Sequence, residues 1–134
     1  MFITLCFFLT GCDEKAIVTV YDKSVKQIPI GCLSLQIVPE ERSFRETLMK
    51  RYPFQAGCQQ RLSVSYKSGI VCNSAYNAPQ KTLSNFPNSY LTMEIRKGLS
   101  LQYSYYIDLD HKPTASDIEK GFKQIKEDLK LSIQ

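Results

Sequence analysis

The chain has 134 residues, with 17 Lys and Arg against 13 Asp and Glu for a net charge of +4, and 43% of it is hydrophobic, enough for one small domain with a single core. The basic residues are scattered, without a run of five or six and without a recognition motif, which argues against nucleic acid as a partner. A single histidine and the lack of G-x-S-x-G and of a phosphate-cradling glycine loop argue against hydrolase and nucleotide chemistry.

Phe2-Ile3-Thr4-Leu5-Cys6-Phe7-Phe8 is an apolar run that leads into Leu9-Thr10-Gly11-Cys12. Its length suits the apolar core of a secretory signal, roughly 7–15 residues, with Gly11 as the small residue before a cut. A spanning helix needs about 20 apolar residues, and Asp13-Glu14-Lys15 ends this run well before that. Leu9-Thr10-Gly11-Cys12 resembles the lipobox of bacterial lipoproteins. The resemblance implies that residues 1–11 are a signal peptide and that Cys12 is the lipidation site, with a diacylglycerol on its sulfur and an acyl chain such as palmitate on its amine. Two or more such chains anchor a protein stably where one does not. Residues 12–30 would then hold the lipidated end, a tether and the first strand, and residues 31–134 a single α+β domain. The lipid would place the protein in the cell envelope, facing the periplasm. In enteric lipoproteins an Asp in the place of Asp13 favours the inner over the outer membrane. The competing reading of the same residues is an apolar strand with an ordinary buried Cys12.

After the charged Asp13-Glu14-Lys15, the β-branched and aromatic stretch Ala16 to Tyr21 predicts a strand, and Asp22 to Pro29 a polar connector. Leu33, Leu35 and Ile37 alternate with Ser34 and Gln36, the pattern of a half-buried strand that Pro39 stops. Ser43 and Glu46 form a capping-box pattern and predict a helix that puts Phe44, Leu48 and Met49 near one face. Pro53 ends it, because the residue before a proline disfavours the helical region.

Leu62, Val64 and Tyr66 alternate with serines before Lys67-Ser68-Gly69 and Ile70-Val71-Cys72. A three-residue loop ending in glycine predicts a hairpin, with Tyr66 opposite Ile70 and Val64 opposite Cys72. The same device recurs at Arg96-Lys97-Gly98, where it sets Ile95 against Leu99 and Met93 against Leu101. Leu99, Leu101, Tyr103, Tyr105, Ile107 and Leu109 then keep strict period two, so this arm outruns its partner and its far end should pair with another strand. Between the hairpins, the Asn-, Ser- and Pro-rich loop Asn73 to Asn88 reads either as a contact surface or as a plain crossover. Last, Thr114 with Asp117 starts a helix whose Ile118, Phe122, Ile125 and Leu129 form one apolar stripe.

With Cys6 in the signal and Cys12 lipidated, Cys32, Cys58 and Cys72 remain for an oxidising compartment. None sits at C-x-x-C spacing. In the predicted hairpin Cys72 lies opposite Val64, roughly 20 Å along the strand from Cys58, too far for a bridge that needs Cα atoms within about 7 Å. A helix folding back over its strand brings residues after Pro53 towards Cys32. The expected disulfide is therefore Cys32–Cys58, with Cys72 buried and inert.

Candidates for chemistry are few. Asp108, Asp110 and His111 could hold a metal, or mark a solvated strand exit. Tyr103, Tyr105 and Tyr106 could stack on a ligand, but two of them point to the predicted core. Lys120, Lys123, Lys126 and Lys130 read as a solvated helix face with Glu119–Lys123 and Lys123–Glu127 at pairing distance, and alternatively as a patch for anionic lipid, lipopolysaccharide or cell-wall glycan. No metal or cofactor is expected.

The order strand, helix, hairpin, loop, hairpin, helix predicts an α+β two-layer sandwich, a mainly antiparallel sheet with two helices on one face. That order is similar to that of the lipoprotein that plugs the lipopolysaccharide-transport barrel, a resemblance of topology that assigns no residue roles. The function expected is that of a non-enzymatic, membrane-anchored lipoprotein that binds or helps to assemble an envelope transport or secretion complex. The alternatives are a glycan- or lipid-binding module and a small envelope hydrolase.

Overall fold

The computed structural model describes residues 15–69 and 89–131. In chain order these form β1 (Ile17–Val20), α1 (Ser24–Gln27), β2 (Leu33–Val38), α2 (Arg42–Met49), β3 (Gln60–Lys67), β4 (Ser89–Lys97), β5 (Ser100–Leu109) and α3 (Ala115–Leu129). The strands make one sheet in the order β1-β5-β4-β3-β2. Every pairing is antiparallel except β2 with β3, which are parallel and joined by the α2 crossover. The two longer helices lie together on one face, giving the α+β two-layer arrangement expected from the sequence.

Register explains the core. Directly paired residues share a face, so Ile37, Val64, Met93, Tyr105 and Val18 form one row across the sheet. Leu35, Leu62, Ile95, Tyr103 and Val20 form the next. Phe44 and Leu48 of α2 and Ile118, Phe122, Ile125 and Leu129 of α3 close over these rows, all of them buried. Gly121 lets α3 come down onto the sheet: a Cβ there would stand 2.6 Å from Met93 Sδ and 3.0 Å from Tyr105 Cε1.

The parallel pair also brings two cysteines together. With Leu33 beside Gln60, the residues just before β2 and β3 are neighbours. Cys32 and Cys58 form a disulfide pair there, with Cα atoms 5.8 Å apart. The backbone N–H of Cys58 donates to Ser34 Oγ at 3.1 Å, and that of Gln55 to the Leu33 carbonyl at 2.9 Å, so the return from α2 is stitched to the start of β2.

Several expectations need correction. The strand Leu62-Val64-Tyr66 has other partners than expected: β3 has β2 on one side and β4 on the other, with Val64 between Ile37 and Met93 and Tyr66 opposite Leu91. Alternation in Leu62-Val64-Tyr66 defines a face, and Leu91-Met93-Ile95 offers a matching face from farther along the chain. Residues 70–72 and the Asn73–Asn88 loop, and with them the expectation of a buried Cys72, lie outside the described residues.

The β4–β5 connection is a two-residue turn, with Lys97 opposite Ser100 and Gly98 at φ 61°. A bulge follows, because Arg96 faces Leu101 while Ile95 faces Tyr103. The extra residue is Gln102, which is buried yet bonded: its amide accepts from Gln60 Nε2 at 2.8 Å and donates to Asp22 Oδ2 at 3.2 Å. The bulge leaves Tyr103 and Tyr105 facing the core, while the turn itself holds Leu99, 95% exposed. Nor does the far end of β5 outrun its partner: β4 pairs with it as far as Leu109, and β1 pairs on the other edge, along Tyr103 to Tyr106.

Ser43 does not cap α2. The helix starts two residues earlier with Glu41 as its N-cap, and Ser43 Oγ donates to Glu41 Oε2 at 3.0 Å. Met49 is half exposed and stands outside the apolar stripe of Phe44 and Leu48. The connector after β1 holds the short helix α1, whose Val25 is buried and whose start is fixed by Asp22 Oδ1 accepting from the Ser24 N–H at 3.0 Å and Oγ at 2.6 Å.

Candidate functional site

The most distinctive surface is the outer side of α3. Its start is set by a reciprocal cap: Asp117 N–H donates to Thr114 Oγ1 at 3.3 Å, while the Asp117 carboxylate accepts from the Thr114 N–H at 2.8 Å. With Ile118, Gly121, Phe122, Ile125 and Leu129 committed to the core, helical geometry turns Lys120 and Lys123 outward, both exposed, and leaves Lys126 half-buried with its Nζ 5.7 Å from the centre of the Phe122 ring. A cleft of about 640 Å³ opens here, lined by Arg51, Glu119, Lys120, Phe122, Lys123 and Lys126 among others.

The pairing of charges differs from the spacing. Glu119 pairs with Arg51, from the turn after α2, and not with Lys123. Asp128 accepts from the Tyr103 hydroxyl at 2.6 Å and from Gln124 Nε2 at 3.0 Å. Asp117 is held in the cap. Among the described residues Lys120 and Lys123 make no ion pair. Arg51 is the cleft residue that sequence reading did not single out, because its partner lies 68 residues away in the chain (119 minus 51).

The Asp-x-Asp-His group does not converge. Asp108 Oδ1 accepts from the Tyr106 hydroxyl at 2.7 Å, a bond that pushes the Tyr106 hydroxyl up to about 12. The two ring nitrogens of His111 face Asp110 and Asp117, each at 2.9 Å. Among the described residues no group of three or more His, Cys, Asp and Glu could hold a metal ion. Tyr103 and Tyr105 are buried in the core, whereas Tyr106 stacks on Tyr90 on the uncovered sheet face, with ring centres 5.8 Å apart.

Burial alone would raise the Asp117 carboxyl, but the Thr114 N–H, His111 and the Thr114 hydroxyl outweigh it and hold the group below its ordinary value. A carboxylate lowered on folding stabilises the fold above its unfolded value, about 3.9, and loses that contribution as pH falls through the folded value. Asp117→Asn is therefore expected to cost about 1 kcal/mol at pH 7, as the loss of a helix cap does. Urea unfolding of both proteins should show that gap closing below about pH 4.

Of the expected site residues, Cys32 and Cys58 are brought together. Cys12 lies outside the described residues. No described helix is long and apolar enough to cross a membrane. No protein-family model, no curated protein and no solved structure matches this chain.

Proposed function

We propose that this chain is a lipid-anchored protein of the bacterial cell envelope, held at the membrane through lipid on Cys12, whose α+β domain faces the periplasm and binds or helps to assemble a membrane transport or secretion complex. The observation that carries this reading is Leu9-Thr10-Gly11-Cys12 after an apolar run, with the first strand of the domain beginning only five residues later at Ile17. A binding role is supported over a catalytic one by how the reactive groups are engaged. Both His111 nitrogens face carboxylates, and Asp117 is committed to a helix cap.

Cys12→Ser tests the anchor. The variant is expected to leave the membrane fraction or to accumulate unprocessed; a variant that stays membrane-bound and is cut normally would overturn the lipoprotein reading. Pull-down of the wild-type protein from detergent-solubilised membranes tests the role. One stoichiometric membrane-protein partner is expected, and saturable binding to peptidoglycan or lipopolysaccharide without such a partner would replace it with the ligand-module reading.

A further inference from the structure

We infer that α3 lies against the membrane surface, with Lys120, Lys123 and Lys126 seated among anionic phospholipid headgroups; this rests on lipidation of Cys12. The first argument is reach. Ala16 comes four positions after Cys12, and a fully extended chain covers at most about 3.6 Å per residue, so the tether spans no more than about 14 Å. A domain of this size is roughly 30–35 Å across. The side on which the tether enters must therefore stay close to the lipid, and the far side cannot turn towards it.

The second argument is where the chain enters. Ala16 shares a small cleft with Tyr105, Ile107, Asp117 and Lys120, so the entry point sits beside the first lysine of α3. From there Lys120, Lys123 and Lys126 continue along the larger cleft, with Arg51 on its other wall.

The third is charge. Glu119 is paired with Arg51, Asp117 caps the helix and Asp128 holds the Tyr103 hydroxyl, which among the described residues leaves Glu127 as the acid of the cleft facing these lysines. Attraction between lysines and anionic headgroups falls off over about 8 Å at physiological salt, and the short tether holds this side of the domain near enough for the lysines to reach that layer. The half-buried Lys126, its Nζ above Phe122, can bury its stem while its ammonium reaches the headgroup layer. The opposite sheet face, with exposed Lys67, is left to the periplasm and to a partner.

The test uses the lipidated full chain, reconstituted into vesicles of phosphatidylglycerol mixed with phosphatidylcholine, and into phosphatidylcholine alone. Amine-reactive footprinting, read by mass spectrometry, compares Lys120, Lys123 and Lys126 with Lys67. In the anionic vesicles the three α3 lysines are expected to label roughly fivefold more slowly than in phosphatidylcholine, the scale of one lysine's interaction with an anionic surface. High salt should abolish the difference, and Lys67 should label equally in both. A chain whose mass shows no lipid on Cys12 sinks both this inference and the lipoprotein reading. A lipidated chain whose α3 lysines label alike in both vesicles overturns the orientation alone.

Discussion

Phe122→Ala is expected to lower unfolding free energy by about 3–5 kcal/mol, the usual cost of truncating a buried phenylalanine. The ring is fully buried on α3 and meets Phe54 and Tyr52 at ring-centre distances of 5.7 and 6.2 Å. Those two aromatics belong to the return from α2, and they contact each other at 5.0 Å. Phe122 therefore joins α3 to the segment that leads into β3. Alanine would leave a void between elements that are each fixed by other contacts: α3 by Gly121 against Met93 and Tyr105, and the return by its bonds to β2. Small domains have only about 5–15 kcal/mol in total, so the variant should be marginal. Urea unfolding followed by circular dichroism checks this. A loss under 1 kcal/mol would mean that the neighbours collapse into the space. Leu99→Ala is the control, since that side chain is 95% exposed and its loss should change stability by less than about 0.5 kcal/mol.

Removing the Cys32–Cys58 bridge is expected to cost roughly 3.5 kcal/mol. The bond closes a loop of 26 residues, and the cost follows from the entropy that the unfolded chain regains when such a loop opens, on the chain-entropy account. The loop contains β2 and α2, so the loss falls on the parallel edge of the sheet. Comparing the wild type with the double variant Cys32→Ala, Cys58→Ala by urea unfolding measures it directly. A loss below about 1 kcal/mol would show that the unfolded chain keeps this unit closed without the bond. A non-reduced digest should yield a Cys32–Cys58 peptide, and a Cys58–Cys72 peptide would reject the pairing. Such a bond persists in an oxidising compartment.

Much of this architecture is legible in the chain itself, for reasons that differ from element to element. The α3 helix is announced at both levels, by Thr114 and Asp117 at its start and by an apolar stripe that needs no distant partner to define it. The same holds for the alternation in β2 to β5, which follows from the pleat. Partner choice was not legible. Val64 reads equally well against Cys72 or Met93, because period two specifies a face and leaves the neighbour open. The two-residue turn moved the pairing from Leu99 onwards, and the bulge at Gln102 moved it by one residue more, since its gain lies in bonds to Gln60 and Asp22, far away in sequence. Ser43 failed as a cap because Glu41 and Glu40 drew Ser43 and Arg45 to themselves.

For the candidate site, spacing identified Lys120, Lys123, Lys126 and Lys130 as a cluster but assigned Glu119 to the wrong partner. Local spacing records only what one helix can do with its own residues. Tertiary packing brought Arg51 to Glu119 and Ala16 to Lys120. The sequence by itself determined the longer elements, the buried stripe and the lipobox resemblance, because propensity, periodicity and short motifs are local. Only the tertiary structure decided the strand neighbours, the bulge and which α3 charges remain uncompensated, because those depend on which distant residues meet.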